Sequence, residues 1–376
     1  MGYYKFMERS ASRIDFDLSP AQEEHARQLH SEILVFDGLM ECSWYDGLVT
    51  QLKRGGTTAG SLSIGNFGYH RWQGKTEDID ARLDDWWSAD TLFSDIGFVN
   101  AKISEHSDDL VLCLNSADIA QAKKDGKVGI MLDVQNTEFA GKDPDRLETF
   151  YNLGLRRAQL TYNMTVPAGA GCMETRNSGL SNFGADMIEK MNEIGMLVDT
   201  GHCHSSTLMD ALDVSQVPIT CSHAGMASRC KNPRTQTDEA LVKLADNGGV
   251  FGIVSTPGAI TGTDKCSVKD YVETIDAAVN LIGVDHVGFG SDFSLAASVE
   301  EIMTAPEWND KLREAVGVNV QVWPWSDGHK GFENNSGYPN LTRGLVAKGY
   351  ADEDISKIMG GNFIRACVSL PANRHH

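Results

Sequence analysis

The sequence predicts an α/β protein of the (β/α)8-barrel class, and three observations carry that prediction. From residue 128 onward, short apolar runs alternate with amphipathic segments of helical period. The apolar runs are near-continuous, as in parallel strands covered on both faces. Polar residues then end strand after strand: Glu41, Gln135, Tyr162, His202, His223 and Asp292. In a barrel those ends converge on one mouth, where active sites sit. An open doubly wound sheet is the competing arrangement, but no Gly-rich phosphate loop follows the first strand.

The elements follow in order. EILVFDG (32–38) opens the series. VGIMLDV (128–134), RRAQLTYN (156–163), MLVDTGH (196–202), VPITCSH (217–223), GGVFGIV (248–254) and HVGFGSD (286–292) read as further strands. Between them GADMIEKMNEIG, SSTLMDALDVS, TDEALVKLADNG and VKDYVETIDAAVNLIG carry helical period and capping residues. A degenerate strand near the C-terminus would bring the count toward eight. No Pro/Gly/Ser linker interrupts the 376 residues, so the expectation is one barrel domain over 1–376 with a helical extension around 1–30.

Composition excludes some partners. The chain carries 33 basic and 52 acidic residues, a formal charge of −19. Nucleic acid and anionic membrane surfaces both call for a cationic face, so neither is an expected partner. No run approaches the roughly 20 apolar residues of a membrane span, and the first residues read as no signal peptide. A cytoplasmic protein is expected. The eight cysteines form no CxxC pair and read as reduced thiols. His375 and His376 end the chain and are set aside from metal arguments.

The chemistry concentrates in three motifs. DTGHCH places His202 just past a strand end, and ITCSH places His223 at the end of the next strand, one helix later. Two imidazoles on adjacent barrel strands approach one metal ion from neighbouring sides. GFGSDF puts Asp292 at a later strand end, where a carboxylate ligates a metal or takes a proton. Around them, His204 reads as the cap of the following helix with Ser205 and Ser206. Cys203 and Cys221 read as small buried fillers. Asp199 stands where it would orient an imidazole from behind. The loop at 172–179 is placed over the mouth, where substrate choice is made.

These motifs resemble the membrane (renal) dipeptidases, peptidase family M19. The resemblance runs in order through LGLRRAQLTYN, the stretch from GLSNFGADMIEKMNEIGMLVDTGHCH to GGVFGIV, then GVDHVGFGSDF and the closing MGGNFIRAC. It implies a metallo-dependent hydrolase barrel with zinc, hydrolysis of dipeptides, and a homodimer. By the same resemblance, which implies a bridged pair of zinc ions, His202 and His223 hold one zinc, while Asp292 binds the other and handles the proton of the nucleophilic water. Arg234, in NPRTQTDE, grips the substrate carboxylate with its guanidinium fork.

The sequence also departs from the family. Where the first strand ends in DGHxD it reads DGLMEC, so Leu39 stands for the histidine and Glu41 for the aspartate. The bridging glutamate is Gln135, a neutral amide without the charge that offsets two dications. The histidine of LTH is Tyr162, a hydrogen-bond donor for an oxyanion or a packing residue of the rim. The expectation is therefore one zinc ion on His202 and His223, completed by Asp292 or Glu41, with two-ion and metal-free sites as alternatives. The expected reaction is cleavage of an amide bond in a small carboxylate-bearing substrate, with a dipeptide implied by the resemblance alone. Lactone or other non-peptide hydrolysis, a lyase, and a non-catalytic ligand-binding descendant are the competing readings.

Overall fold

The computed structural model describes residues 10–40, 44, 47–65, 86–263, 265–293 and 330–368. Eight parallel strands form the barrel: β1 (Phe36–Met40), β2 (Ala59–Ile64), β4 (Val128–Val134), β5 (Leu155–Gln159), β6 (Leu197–Asp199), β7 (Thr220–Met226), β9 (Val250–Val254) and β10 (Val287–Gly290). Two short strands lie off this path, β3 (Leu110–Leu112) beside β4 and β8 (Thr235–Gln236) beside β7. The ends of the path meet at the mouth. There the Asp292 N–H donates to Leu39 O at 2.9 Å, and the Ser291 N–H donates to Asp37 Oδ1 at 2.8 Å.

Strand alternation assigns the two faces of each strand. On β4, Ile130, Leu132 and Val134 join the outer apolar layer with Leu92, Ile96 and Val99 of the helix Ala89–Glu105. Met131, Asp133 and Gln135 occupy the opposite face, toward the barrel axis. That interior is polar at mid-height. Asp133 Oδ2 accepts from Arg157 Nε at 2.8 Å, and both side chains are fully buried. At the bottom, the C-terminal helix Asn362–Val368 closes the barrel with Phe363. A Cβ on Gly38, Gly252 or Gly288 would come within 2.4, 2.9 or 2.7 Å of that ring, so three strands leave room for it by being glycine there.

The strand read at 128–134 appears at its place, and those read at 248–254 and 286–292 are strand over Val250–Val254 and Val287–Gly290. The helices between them begin at good caps. Ser181 accepts from Gly184 N, and Ser267 and Asp270 form a capping box. The expected degenerate C-terminal strand is a correction. Among the described residues the C-terminal segment is helical, with helices Tyr338–Lys348, Asp352–Ser356 and Asn362–Val368. The missing eighth strand is β2, whose AGSLSI holds no apolar run because Ser61 and Ser63 take the inward positions. EILVFDG divides in two: Glu32 ends the helix Pro20–Glu32, and the strand starts at Phe36. RRAQLTYN is strand only to Gln159, after which the chain turns into the mouth. Among the described residues, no helix is long and apolar enough to cross a membrane.

Candidate metal centre

Three strands and their exits build the centre. β6 ends at Asp199, and a short turn carries the chain to His202. β7 breaks register between Cys221 and Ala224, and His223 lies inside that irregularity. A bulge re-aims a side chain, and here it drives the Ser222 carbonyl toward β9 and β10. A Cβ on Gly252 or Gly290 would stand 1.9 or 2.2 Å from Ser222 O. The glycines of GVFGIV and GFGSDF are thus conditions for the way His223 is presented. Asp292 follows β10 with φ of 52°, a left-handed conformation uncommon for a residue with a Cβ. Its N–H bond to Leu39 O holds that turn.

His202, His223 and Asp292 converge so that one ligand atom from each lies within 4.8 Å of the others. The imidazole centroids are 4.8 Å apart in a T-shaped arrangement, and His223 Nε2 stands 3.9 Å from Asp292 Oδ2. Each imidazole is buried, and neither Nε2 has a hydrogen-bond partner among the described residues. Both Nδ1 atoms are engaged, that of His202 with Asn163 Oδ1 and that of His223 with Ser222 Oγ, each at 2.7 Å. Burial holds both rings well below the ordinary imidazole range, and the positive charge of Arg234 adds to it. Neutral imidazole is the ligand form. Tetrahedral ligands at 2.0–2.1 Å from zinc lie roughly 3.4 Å apart, so this donor set fits one divalent ion with a small contraction.

Arg234 is also buried, and its two terminal nitrogens clamp the loops that carry the imidazoles. Nη1 donates to Gly201 O, and Nη2 donates to His223 O at 3.0 Å. Nη2 also stands 3.8 Å from Asp292 Oδ2. Tyr162 stacks on His202 with centroids 4.1 Å apart and meets Trp87 in a tilted contact at 4.7 Å, an aromatic wall along one side of the centre.

The other side offers less to a cation. Leu39 is fully buried and apolar, and Gln135 Nε2 donates to Ser63 Oγ at 3.0 Å. Only Gln135 Oε1 remains, a neutral oxygen without a partner among the described residues. Glu41 lies outside the described residues. The reading of His204 is met: it caps the helix Ser205–Val214, its side chain accepting from Ser206 N. Cys203 and Cys221 are fully buried fillers.

Sequence reasoning missed Asn163, Ser222 and Cys172. Asn163 and Ser222 adjoin residues that were singled out, and a search for imidazole partners beside Tyr162 and His223 would have found them. Cys172 starts the loop expected over the mouth. Its N–H donates to His202 O at 2.7 Å and its thiol to Asn163 Oδ1 at 3.4 Å, joining that loop to the centre.

A (β/α)8 barrel with two neutral imidazoles and a carboxylate gathered at its mouth defines the metallo-dependent hydrolase class of barrel. The family model for membrane dipeptidase (peptidase family M19) matches residues 24–322 and 324–375, and the chain belongs to that family. A dipeptidase of Claviceps purpurea is 28% identical over 277 residues, covering 73% of this chain and 58% of the relative. An uncharacterized dipeptidase of Schizosaccharomyces pombe is 29% identical over 285 residues, covering 73% of this chain and 61% of the relative. The chain thus spans about three fifths of the length of these curated relatives. Among solved structures, an amidohydrolase from Pseudomonas aeruginosa superposes with a TM-score of 0.76 at 26% identity, covering 92% of this chain and 98% of that one.

Proposed function

We propose that the protein is a metal-dependent hydrolase that cleaves an amide bond in a small carboxylate-bearing substrate, using a single zinc ion. The observation that carries this is the pair of buried imidazoles whose unpartnered Nε2 atoms face one carboxylate within 4.8 Å. His202, His223 and Asp292 would hold the ion, which supplies positive charge to polarise the scissile carbonyl and to acidify a neighbouring water. Among the described residues Asp292 is the acid of that cluster, and it is the base for the attacking water. Arg234 holds the His202 and His223 loops in place, and its charge adds to the burial that keeps both rings neutral. Its Nε–H has no partner among the described residues and is a donor available to a substrate carboxylate. Tyr162 and Trp87 form the wall that excludes water from the His202 side.

The charge balance supports one ion over two. A second dication would meet Leu39 and the neutral amide of Gln135, where two positive ions call for anionic bridging. The test is turnover of a panel of dipeptides and N-acyl amino acids by metal-free and zinc-loaded protein. Hydrolysis that vanishes on chelation and returns with zinc supports the proposal, and activity indifferent to metal refutes it.

One observation favours a second reading. Both terminal nitrogens of Arg234 already serve backbone carbonyls, which leaves a weaker grip for a carboxylate. A lactone or an amide lacking that carboxylate would then be the better substrate. Robust turnover across the dipeptide panel decides against this second reading, and zinc-dependent turnover confined to lactones decides for it.

A further inference from the structure

Which ring nitrogen carries the proton decides whether His223 can hold a cation at all. His223 Nδ1 lies 2.7 Å from Ser222 Oγ, and Ser222 Oγ lies 2.7 Å from Asp199 Oδ2. Asp199, at the end of β6, is surrounded by donors. Oδ1 accepts from Thr220 Oγ1 at 2.7 Å and from Ser222 N at 2.8 Å, and Oδ2 accepts from Gly201 N at 3.2 Å. Backbone N–H groups only donate, so Asp199 acts as an acceptor at both oxygens. Ser222 has one hydroxyl hydrogen, and it goes to Asp199. The Ser222 oxygen is then an acceptor for the ring N–H, which puts the proton on Nδ1 and leaves the lone pair on Nε2. Asp199, Ser222 and His223 are all fully buried, so solvent does not compete for these positions.

We infer that Asp199 is a positioning residue that sets the tautomer of His223 through Ser222. Asp199 lies three residues before His202 in DTGH, yet the imidazole it serves is the one on the neighbouring strand. One short motif therefore supplies a ligand and also the proton control of the second ligand. His202 is held differently, by the neutral Asn163 side chain, and serves as an internal control. The relay rests on the proposed metal reading only for its purpose, since the proton placement follows from the hydrogen bonds alone.

Asp199→Asn is nearly isosteric and reverses the relay. The amide N–H donates to Ser222 Oγ, the Ser222 hydroxyl turns to His223 Nδ1, and the ring proton moves to Nε2, the ligand position. Zinc affinity, measured against a competing chelator, is expected to fall about 10–100-fold, the range for loss of such an outer partner. In metal-free protein the side-chain 15N signals of His223, assigned by difference with His223→Asn, are expected to change from Nδ1-protonated to Nε2-protonated, while those of His202 stay in place. Ser222→Ala gives a mixture of tautomers and an intermediate loss, and it tests the relay should Asp199→Asn fail to fold. An Nε2-protonated His223 in the native metal-free protein overturns the inference, as does Asp199→Asn with unchanged tautomer and zinc affinity. Native protein that binds no zinc while His223 is Nδ1-protonated upholds the relay and refutes the metal reading instead.

Discussion

The two sides of the barrel mouth differ in what their polar atoms are doing. On the β6–β7–β10 side, two Nε2 atoms are without partners and face a carboxylate, while their Nδ1 atoms are pinned from behind. On the β1–β2–β4 side, Leu39 is apolar and the Gln135 amide is hydrogen-bonded to Ser63. A metal site requires lone pairs that are desolvated, aimed and otherwise unused. Among the described residues the first side gathers two such nitrogens beside a carboxylate, whereas the second offers the neutral Gln135 Oε1. Membership of the membrane dipeptidase family therefore does not by itself fix the number of ions here.

The strongest way to break this comparison is to substitute each side in turn. His202→Ala and His223→Ala are expected to lower zinc affinity by more than about 100-fold, beyond the range seen for outer partners alone. Leu39→Ala is expected to leave zinc affinity unchanged while costing about 2–5 kcal/mol of stability, as deletion from a packed core does. Isothermal titration and thermal melts of the three variants separate the two kinds of loss. A large drop in zinc affinity for Leu39→Ala would erase the distinction.

The β1 side has an electrostatic signature of its own. Burial pushes Asp37 up to about 6 despite hydrogen bonds from Ser291, Tyr338 and Leu39. An unfolded aspartate titrates near 3.9, so between these values the folded state holds the extra proton. The stability this contributes is fully present below about pH 4 and is lost as pH rises through about 6. Relative to Asp37→Asn, the native protein should gain up to about 3 kcal/mol on going from pH 7 to pH 4. Urea melts at several pH values check this, and a flat difference would contradict it.

A smaller effect probes the bulge that aims His223. Gly252→Ala and Gly290→Ala each press a methyl against Ser222 O and should cost about 1–3 kcal/mol of stability. The accompanying shift of His223 should weaken zinc binding, whereas Gly349→Ala, with open space around it, should leave zinc binding unaffected.

Much of the barrel was legible because buried parallel strands are apolar on both faces, as VGIMLDV and GGVFGIV are. β2 was not, since Ser61 and Ser63 face a polar interior and erase the apolar run. β3 pairs over only three residues, too few to show a period. His202 and Asp292 were legible because strand ends in a barrel must converge, whereas His223, expected at a strand end, lies within β7 at its register break. The clamp made by Arg234 was not, because bonds to backbone carbonyls leave no mark in side-chain identity. Nor was the Asp199–Ser222–His223 relay, which depends on a bulge that sequence does not signal.

The number of zinc ions held by the full chain tests the central claim most directly. Elemental analysis of protein purified in the presence of zinc and freed of loosely bound metal is expected to give one ion per chain, lost in His202→Ala and His223→Ala. Two ions per chain, or none, would contradict a single-ion centre built on His202, His223 and Asp292.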